Sequence, residues 1–170
     1  VVLNENGGTC TPLTQYIERE GAELPQDVVR EGYTFGGWFT NASCTSDEVT
    51  EIPVTATGEQ TFYAKWTANS YTVTLNKNNG TINSGNVTSY LYGVGATLPI
   101  DITRTGYTFG GWYTNSSCTG SQVTSISTTE YGNKVFYAKW TPNQYTITYV
   151  TNNGTINAGN ITQYKYGNGV

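Results

Sequence analysis

Histidine and methionine are absent from the 170 residues, and the chain holds only three cysteines and 12% charged residues. Without histidine, the side chain that general acid–base catalysis most often uses is missing. Zinc sites need Cys and His clustered at short spacing, and Cys10, Cys44 and Cys118 form no Cys-x-x-Cys. The three aspartates, Asp27, Asp47 and Asp101, fall in no calcium-loop pattern. "GGW" lacks both the spacing and the Lys-Ser/Thr of a phosphate loop. No catalytic residue, metal ligand or cofactor is therefore assigned, and an enzyme is not expected.

Long apolar runs are missing too. None approaches the ~18 residues of a membrane span. No basic stripe is present to follow a nucleic-acid backbone, which argues against nucleic acid as a partner. The net charge is −4 and unevenly spread: residues 1–70 carry ten acids and three bases, residues 71–144 two acids and four bases. Drift between copies explains this asymmetry, and head-to-tail attraction between molecules is the sharper alternative. The opening "VVLNENGG", with no Met before it, is what a fragment or a processed product would give.

What the chain has is Thr, Asn and tyrosine, 14 of the last, together with four tryptophans. Thr, Tyr, Val and Trp favour pleated, half-buried surfaces, so a β-rich fold is expected. The organisation is a repeat. "GYTFGGWFTNASCTS" from Gly32 returns as "GYTFGGWYTNSSCTG" from Gly106, identical at 12 of 15 positions and offset by 74. "YTVTLNKNNGTINSGNVTSYLYG" from Tyr71 returns from Tyr145, and "TFYAKW" (61–66) returns as "VFYAKW" (135–140). The expected domains are repeat module 1 at 1–70, repeat module 2 at 71–144, and an incomplete third repeat at 145–170 that holds the first hairpin only.

Within a unit, Tyr71, Val73 and Leu75 alternate with Thr72, Thr74 and Asn76, the period of a strand with one buried face. "NNGT" (78–81) supplies the Asn-Gly chemistry that tolerates positive φ in a turn. Tyr16, Tyr90 and Tyr164 recur in the next strand and are expected to face inward, whereas Glu18 stands where later copies have Tyr92 and Tyr166. The segment 95–109 has room for about one helical turn before Pro99, and no sustained 3.6-residue period occurs anywhere. Tyr107 and Phe109 share a parity that Trp112 breaks. A bulge at Gly110–Gly111 would bring all three rings to one side. In the closing strand Phe136, Ala138 and Trp140 face in and Lys139 faces out. The expected core is Trp38, Trp66, Trp112 and Trp140 with Phe35, Phe109, Phe62 and Phe136. Such rings compensate for the small core of a 70-residue unit, since each buries some 150–250 Å².

"YTVTLNKNNG", "LPIDITRTGYTFGGWYTNSSC" and "VFYAKW" in this order resemble the Listeria–Bacteroides repeat, related to the B repeat of internalin-type surface proteins. The resemblance covers essentially the whole chain. It implies tandem small β-grasp-like modules with little helix, a β-rich α+β fold class. It also implies secreted or wall-attached bacterial proteins in which such modules act as stalks, spacers or adhesive arrays, with no shared catalytic residues.

The remaining candidates are covalent or adhesive. Cys10 stands where later copies have Ile82 and Ile156, so it is either a small apolar substitute or a disulfide partner acquired for Cys44. Lys65 and Lys139 could enter isopeptide bonds, but their parity is solvent-facing. Asn-x-Ser/Thr triplets begin at Asn41, Asn79, Asn86, Asn115, Asn153 and Asn160. Outward tyrosines such as Tyr63 and Tyr137 are the candidates for a glycan or protein ligand. A two-stranded hairpin is marginal alone, so residues 145–170 are expected to pair with a neighbouring repeat or an identical subunit. The expected role is a non-catalytic, extracellular or cell-surface structural repeat protein acting as stalk, adhesive array or filament subunit. An adhesin module that binds carbohydrate or protein through exposed aromatics is the alternative.

Overall fold

The computed structural model describes residues 1–168 and contains strands and turns only. The chain forms two compact units: the first is Val1–Ser70 with Leu91–Gly93, the second Tyr71–Tyr90 with Val94 onward. Residues 145–168, expected to open a third repeat, are counted within the second unit, and residues 169 and 170 lie outside the described residues.

In the first unit the strands are β1 (Val2–Asn4), β2 (Ala22–Glu23), β3 (Tyr33–Phe39), β4 (Glu48–Val49), β5 (Glu51–Ile52) and β6 (Thr61–Ala68). Its main sheet runs β1-β6-β3-β4, with β1 parallel and β3 antiparallel to β6. β2 and β5 form a separate antiparallel pair.

The second unit repeats the plan with β7 (Ser70–Asn76), β8 (Thr81–Ile82), β9 (Ser89–Leu91), β10 (Ala96–Thr97), β11 (Ile102–Thr103), β12 (Tyr107–Tyr113), β13 (Ser125–Ile126) and β14 (Lys134–Pro142). Its sheet runs β12-β14-β7-β9, and β14 is again parallel to the opening strand. Beyond it β15 (Gln144–Thr146) pairs antiparallel with β16 (Gln163–Lys165). A parallel neighbour cannot be reached by a hairpin. The opening and closing strands of each unit are therefore clamped side by side, with the rest of the unit's chain between them in sequence.

The helical turn expected before Pro99 is absent, and with it the α part of the fold class: no helix occurs among the described residues. The segment is extended because its backbone is already engaged. Ala96 and Thr97 pair with Ile126 and Ser125, and Leu98 N donates to Thr124 O at 2.9 Å. Leu98 and Ile102 then both point into the core at 2% and 6% exposure, a reach that one helical turn would shorten.

The glycine bulge is present in both units. Register slips between Phe35 and Trp38 and between Phe109 and Trp112, and the paired rings meet edge-on at 5.6 Å in each case. Each unit closes its own core. Leu24, Val28, Trp38, Ile52, Phe62 and Ala64 fill the first; Val73, Tyr90, Leu98, Trp112, Ile126 and Phe136 are prominent in the second. Tyr90 is 4% exposed, so the tyrosine face points inward, while Leu91 on the opposite face is 44% exposed. In the third stretch the corresponding tyrosine, Tyr164, is 40% exposed and packs on Tyr145, at 5.4 Å.

Candidate functional site

The tryptophans are the place to look for either chemistry or ligand stacking, and their N–H groups show how they are used. Trp38 Nε1 donates to Pro25 O at 2.8 Å, and Trp112 Nε1 to Pro99 O at 2.7 Å. Both rings are buried, at 0% and 2% exposure. Trp66 Nε1 donates to Glu5 O at 2.8 Å and Trp140 Nε1 to Lys77 O at 2.9 Å, carbonyls of the first turn of each unit. Buried indole N–H groups need such partners. All four rings are thus tied to backbone within their own unit.

Those first turns show how tightly the outer pair is seated. Asn78 and Asn79 take φ of 46° and 66°, and Gly80 N donates to Lys77 O at 2.9 Å. This is the two-residue turn with positive φ at both central positions that suits strand twist. The asparagines carry the positive φ, so Gly80 is needed for another reason. A Cβ there would stand 2.4 Å from Trp140 Cζ2. In the first unit Gly8 meets Trp66 Cζ2 at 2.3 Å in the same way. Asn6 Nδ2 and Asn78 Nδ2 complete the seat, donating to Ala64 O and Ala138 O at 2.7 Å. Of the expected phenylalanines, Phe62 and Phe136 are buried at 3% and 4%, while Phe35 and Phe109 are half-buried between the two indoles of their unit.

The aspartates hold loops. Asp27 accepts from Thr11 N at 3.1 Å and from the Thr11 hydroxyl. Asp101, one period later, accepts from Asn83 Nδ2 and Ser84 Oγ, both at 2.8 Å. The Thr11 hydroxyl holds the Asp27 carboxyl below the usual carboxylate range, and Asn83 with Ser84 does the same for Asp101. A carboxylate whose pKa is depressed by folding adds stability that is full above its unfolded value of about 3.9 and lost as pH falls through the lower folded value. Asp101→Asn should therefore flatten the acid limb of the second unit's melting temperature as pH falls through and below the ordinary carboxylate range. Thermal melts of both forms across that range check this; an unchanged limb would mean that the hydrogen bonds do not form in solution.

Cys10, Cys44 and Cys118 carry no disulfide in the structure. Cys10 packs beside the first core and its Sγ lies 3.9 Å from Glu5 Oε1; burial, then the Glu5 charge, pushes its thiol pKa up. Cys44 Sγ instead sits 3.9 Å from Ala64 O, and Cys118 Sγ occupies the same niche 3.7 Å from Ala138 O. Cys44 and Cys118 also take positive φ, 50° and 49°. Their shared niche explains the recurrence of cysteine without any pairing.

Lys65 and Lys139 are exposed, with their ammonium groups 4.9 and 5.1 Å from the Phe39 and Tyr113 ring centroids. Tyr63 and Tyr137 are half-buried rather than free. Asn41 and Asn115 spend their side-chain oxygens on Thr45 N and Thr119 N at 3.0 and 3.2 Å, closing loops. Among the described residues no three Cys, Asp or Glu side chains gather at a metal-binding spacing. Among the described residues no helix is long and apolar enough to cross a membrane. One open groove is lined by Val73, Leu75, Ile82 and Val87 together with Lys77 and Thr88.

Comparison with known proteins gives a consistent result. The model of the Listeria-Bacteroides repeat domain matches twice, at residues 1–65 and 71–139. A candidate Gly-rich membrane protein of Evansella cellulosilytica is 32% identical over 158 residues, 89% of this chain and 18% of that protein. A candidate membrane protein of the same organism is 33% identical over 153 residues, 88% of this chain and 22% of that protein. Internalin H of Listeria monocytogenes is 33% identical over 124 residues, 70% of this chain and 21% of that protein. The chain thus spans about a fifth of the length of these relatives. No solved structure matches.

Proposed function

Because the chain belongs to the Listeria-Bacteroides repeat family, we propose that it is a non-catalytic segment of a bacterial surface protein, serving as a spacer or stalk. The observation that carries this reading is the internal use of every indole: each tryptophan N–H is committed to a backbone carbonyl of its own unit, leaving none to hold a ligand. Support for the surface comes from the relatives, one named an internalin and two named membrane proteins. The strand order, with first and last strands adjacent and parallel and a middle strand beyond the last, supports reading each unit as a β-grasp-like module without its helix.

A spacer must carry load. Clamping parallel terminal strands side by side makes pulling on the chain ends shear their ladder, which loads its hydrogen bonds together. Held by its ends in a single-molecule pulling experiment, the chain is expected to release two discrete lengths, each on the order of 230–250 Å for some seventy extended residues. Antibody against the chain should label intact producing cells. A chain that extends smoothly without steps contradicts the load-bearing role, and labelling only after lysis contradicts the surface.

A further inference from the structure

The first unit has its own core but extends beyond its first seventy residues. Leu91–Gly93 lie within the second repeat of the sequence yet belong to the first compact unit. The Tyr92 ring meets Tyr33 edge-on, with centroids 5.5 Å apart and planes at 80°. Tyr92 N donates to Asn69 O at 3.0 Å, and Asn69 N in turn donates to Gly32 O at 2.9 Å. A Cβ on Gly32 would stand 2.3 Å from the Tyr92 ring, so the ring lies flat against bare backbone. The Arg30 guanidinium sits 3.9 Å from the Tyr33 centroid, and the Thr34 hydroxyl donates to Asn69 Oδ1 at 2.6 Å. At Gly93 φ is 82° and an added Cβ would meet Tyr33 Oη at 3.0 Å.

The same set recurs in the second unit. Tyr107 and Tyr166 meet at 5.5 Å and 77°, Tyr166 N donates to Asn143 O at 2.9 Å, and a Cβ on Gly106 would stand 2.2 Å from the Tyr166 ring. Arg104 lies 3.8 Å from the Tyr107 centroid, Thr108 Oγ1 donates to Asn143 Oδ1 at 2.7 Å, and Gly167 takes φ of 78°. We propose that Arg-x-Gly-Tyr-Thr together with the Asn that follows the closing strand is a docking site for a Tyr-Gly step. The first and second repeats each offer one such site, and the stretch that follows in sequence fills it. The first repeat has the site but carries Glu18-Arg19 where the donor step would stand, so recognition runs one way along the chain.

This assignment stands whether or not the protein is a surface spacer. Its energetic content is a nearest-neighbour term that a unit gains only when the next repeat is in place. An edge-on aromatic pair and a buried half-ring together are worth about a tenfold change in an opening equilibrium, roughly 1.4 kcal/mol. The test is amide hydrogen exchange on the whole chain, read at Phe35 and Phe62 in the first unit and at Phe109 and Phe136 in the second. Tyr92→Ala is expected to speed exchange at Phe35 and Phe62 about tenfold, and Tyr92→Phe to leave it unchanged, since no bond to the Tyr92 hydroxyl is part of the site. Tyr166→Ala should speed exchange at Phe109 and Phe136 and spare Phe35 and Phe62. Adding Tyr33→Ala to Tyr92→Ala should cost less than the sum of the two alone. Unchanged rates at Phe35 and Phe62 in Tyr92→Ala, or full additivity with Tyr33→Ala, would overturn the proposal.

Discussion

Trp112→Ala is expected to unfold the second unit. The ring is 2% exposed, packs against Phe109 and donates to Pro99 O. Truncating a buried tryptophan costs about 3–5 kcal/mol. A unit of this size has a total stability on the order of 4–10 kcal/mol, so the loss removes most of it. The first unit has its own core around Trp38 and should keep its own transition. Calorimetry of the variant should therefore show one transition persisting while the other moves down by tens of degrees or disappears. Trp112→Phe separates two contributions: it keeps most of the burial but leaves the Pro99 carbonyl without its donor, at about 1–3 kcal/mol. Equal losses in both units from Trp112→Ala would mean that the two cores are not separate.

The second large effect is expected from a methyl group. In Gly80→Ala the new Cβ would stand 2.4 Å from Trp140 Cζ2 and 3.1 Å from Lys77 O, so the indole must leave its seat and give up its bond to Lys77 O. Overpacking of this kind costs about 1–3 kcal/mol, and the lost hydrogen bond adds about another. Gly132→Ala is the control, with φ of 78° but nothing within 4 Å of the added atom. It should cost only the left-handed penalty, about 1–2 kcal/mol. Denaturant melts of the two variants rank them directly. If Gly132→Ala is the worse, backbone conformation and not the indole fixes the turn.

These two glycines show where the sequence is legible. The 74-residue period is read from segments that return almost unchanged, while the inward parity of the closing strand and the bulge at paired glycines follow from side-chain alternation, which is local. Gly80 is less readable because glycine serves both positive φ and close approach, and the letters "NNG" suggest the first. Only the packing of Trp140, far along the chain, reveals the second. The segment 95–103 misleads for a related reason. Its local pattern permits a helical turn, and what overrides it is pairing with residues 124–126, which no local window contains.

The cysteines and the Tyr-Gly step are opposite cases. Cys10 and Cys44 invite pairing because Cys10 replaces the Ile82 and Ile156 of the later copies, and Cys44 shares its niche with Cys118, which has no counterpart to Cys10. Tyr92 is a conspicuous departure from Glu18, but its partner lies in the preceding repeat. A reading that assigns every residue to its own module cannot find that contact.

Two indoles buried in separate cores and two packed against them are what the spacer role rests on, and their N–H signals in a two-dimensional nitrogen–proton spectrum test it most directly. Four dispersed indole signals are predicted, those of Trp38 and Trp112 exchanging with solvent only as their units unfold and those of Trp66 and Trp140 less strongly protected. Four overlapping signals exchanging at the rate of free tryptophan would contradict it.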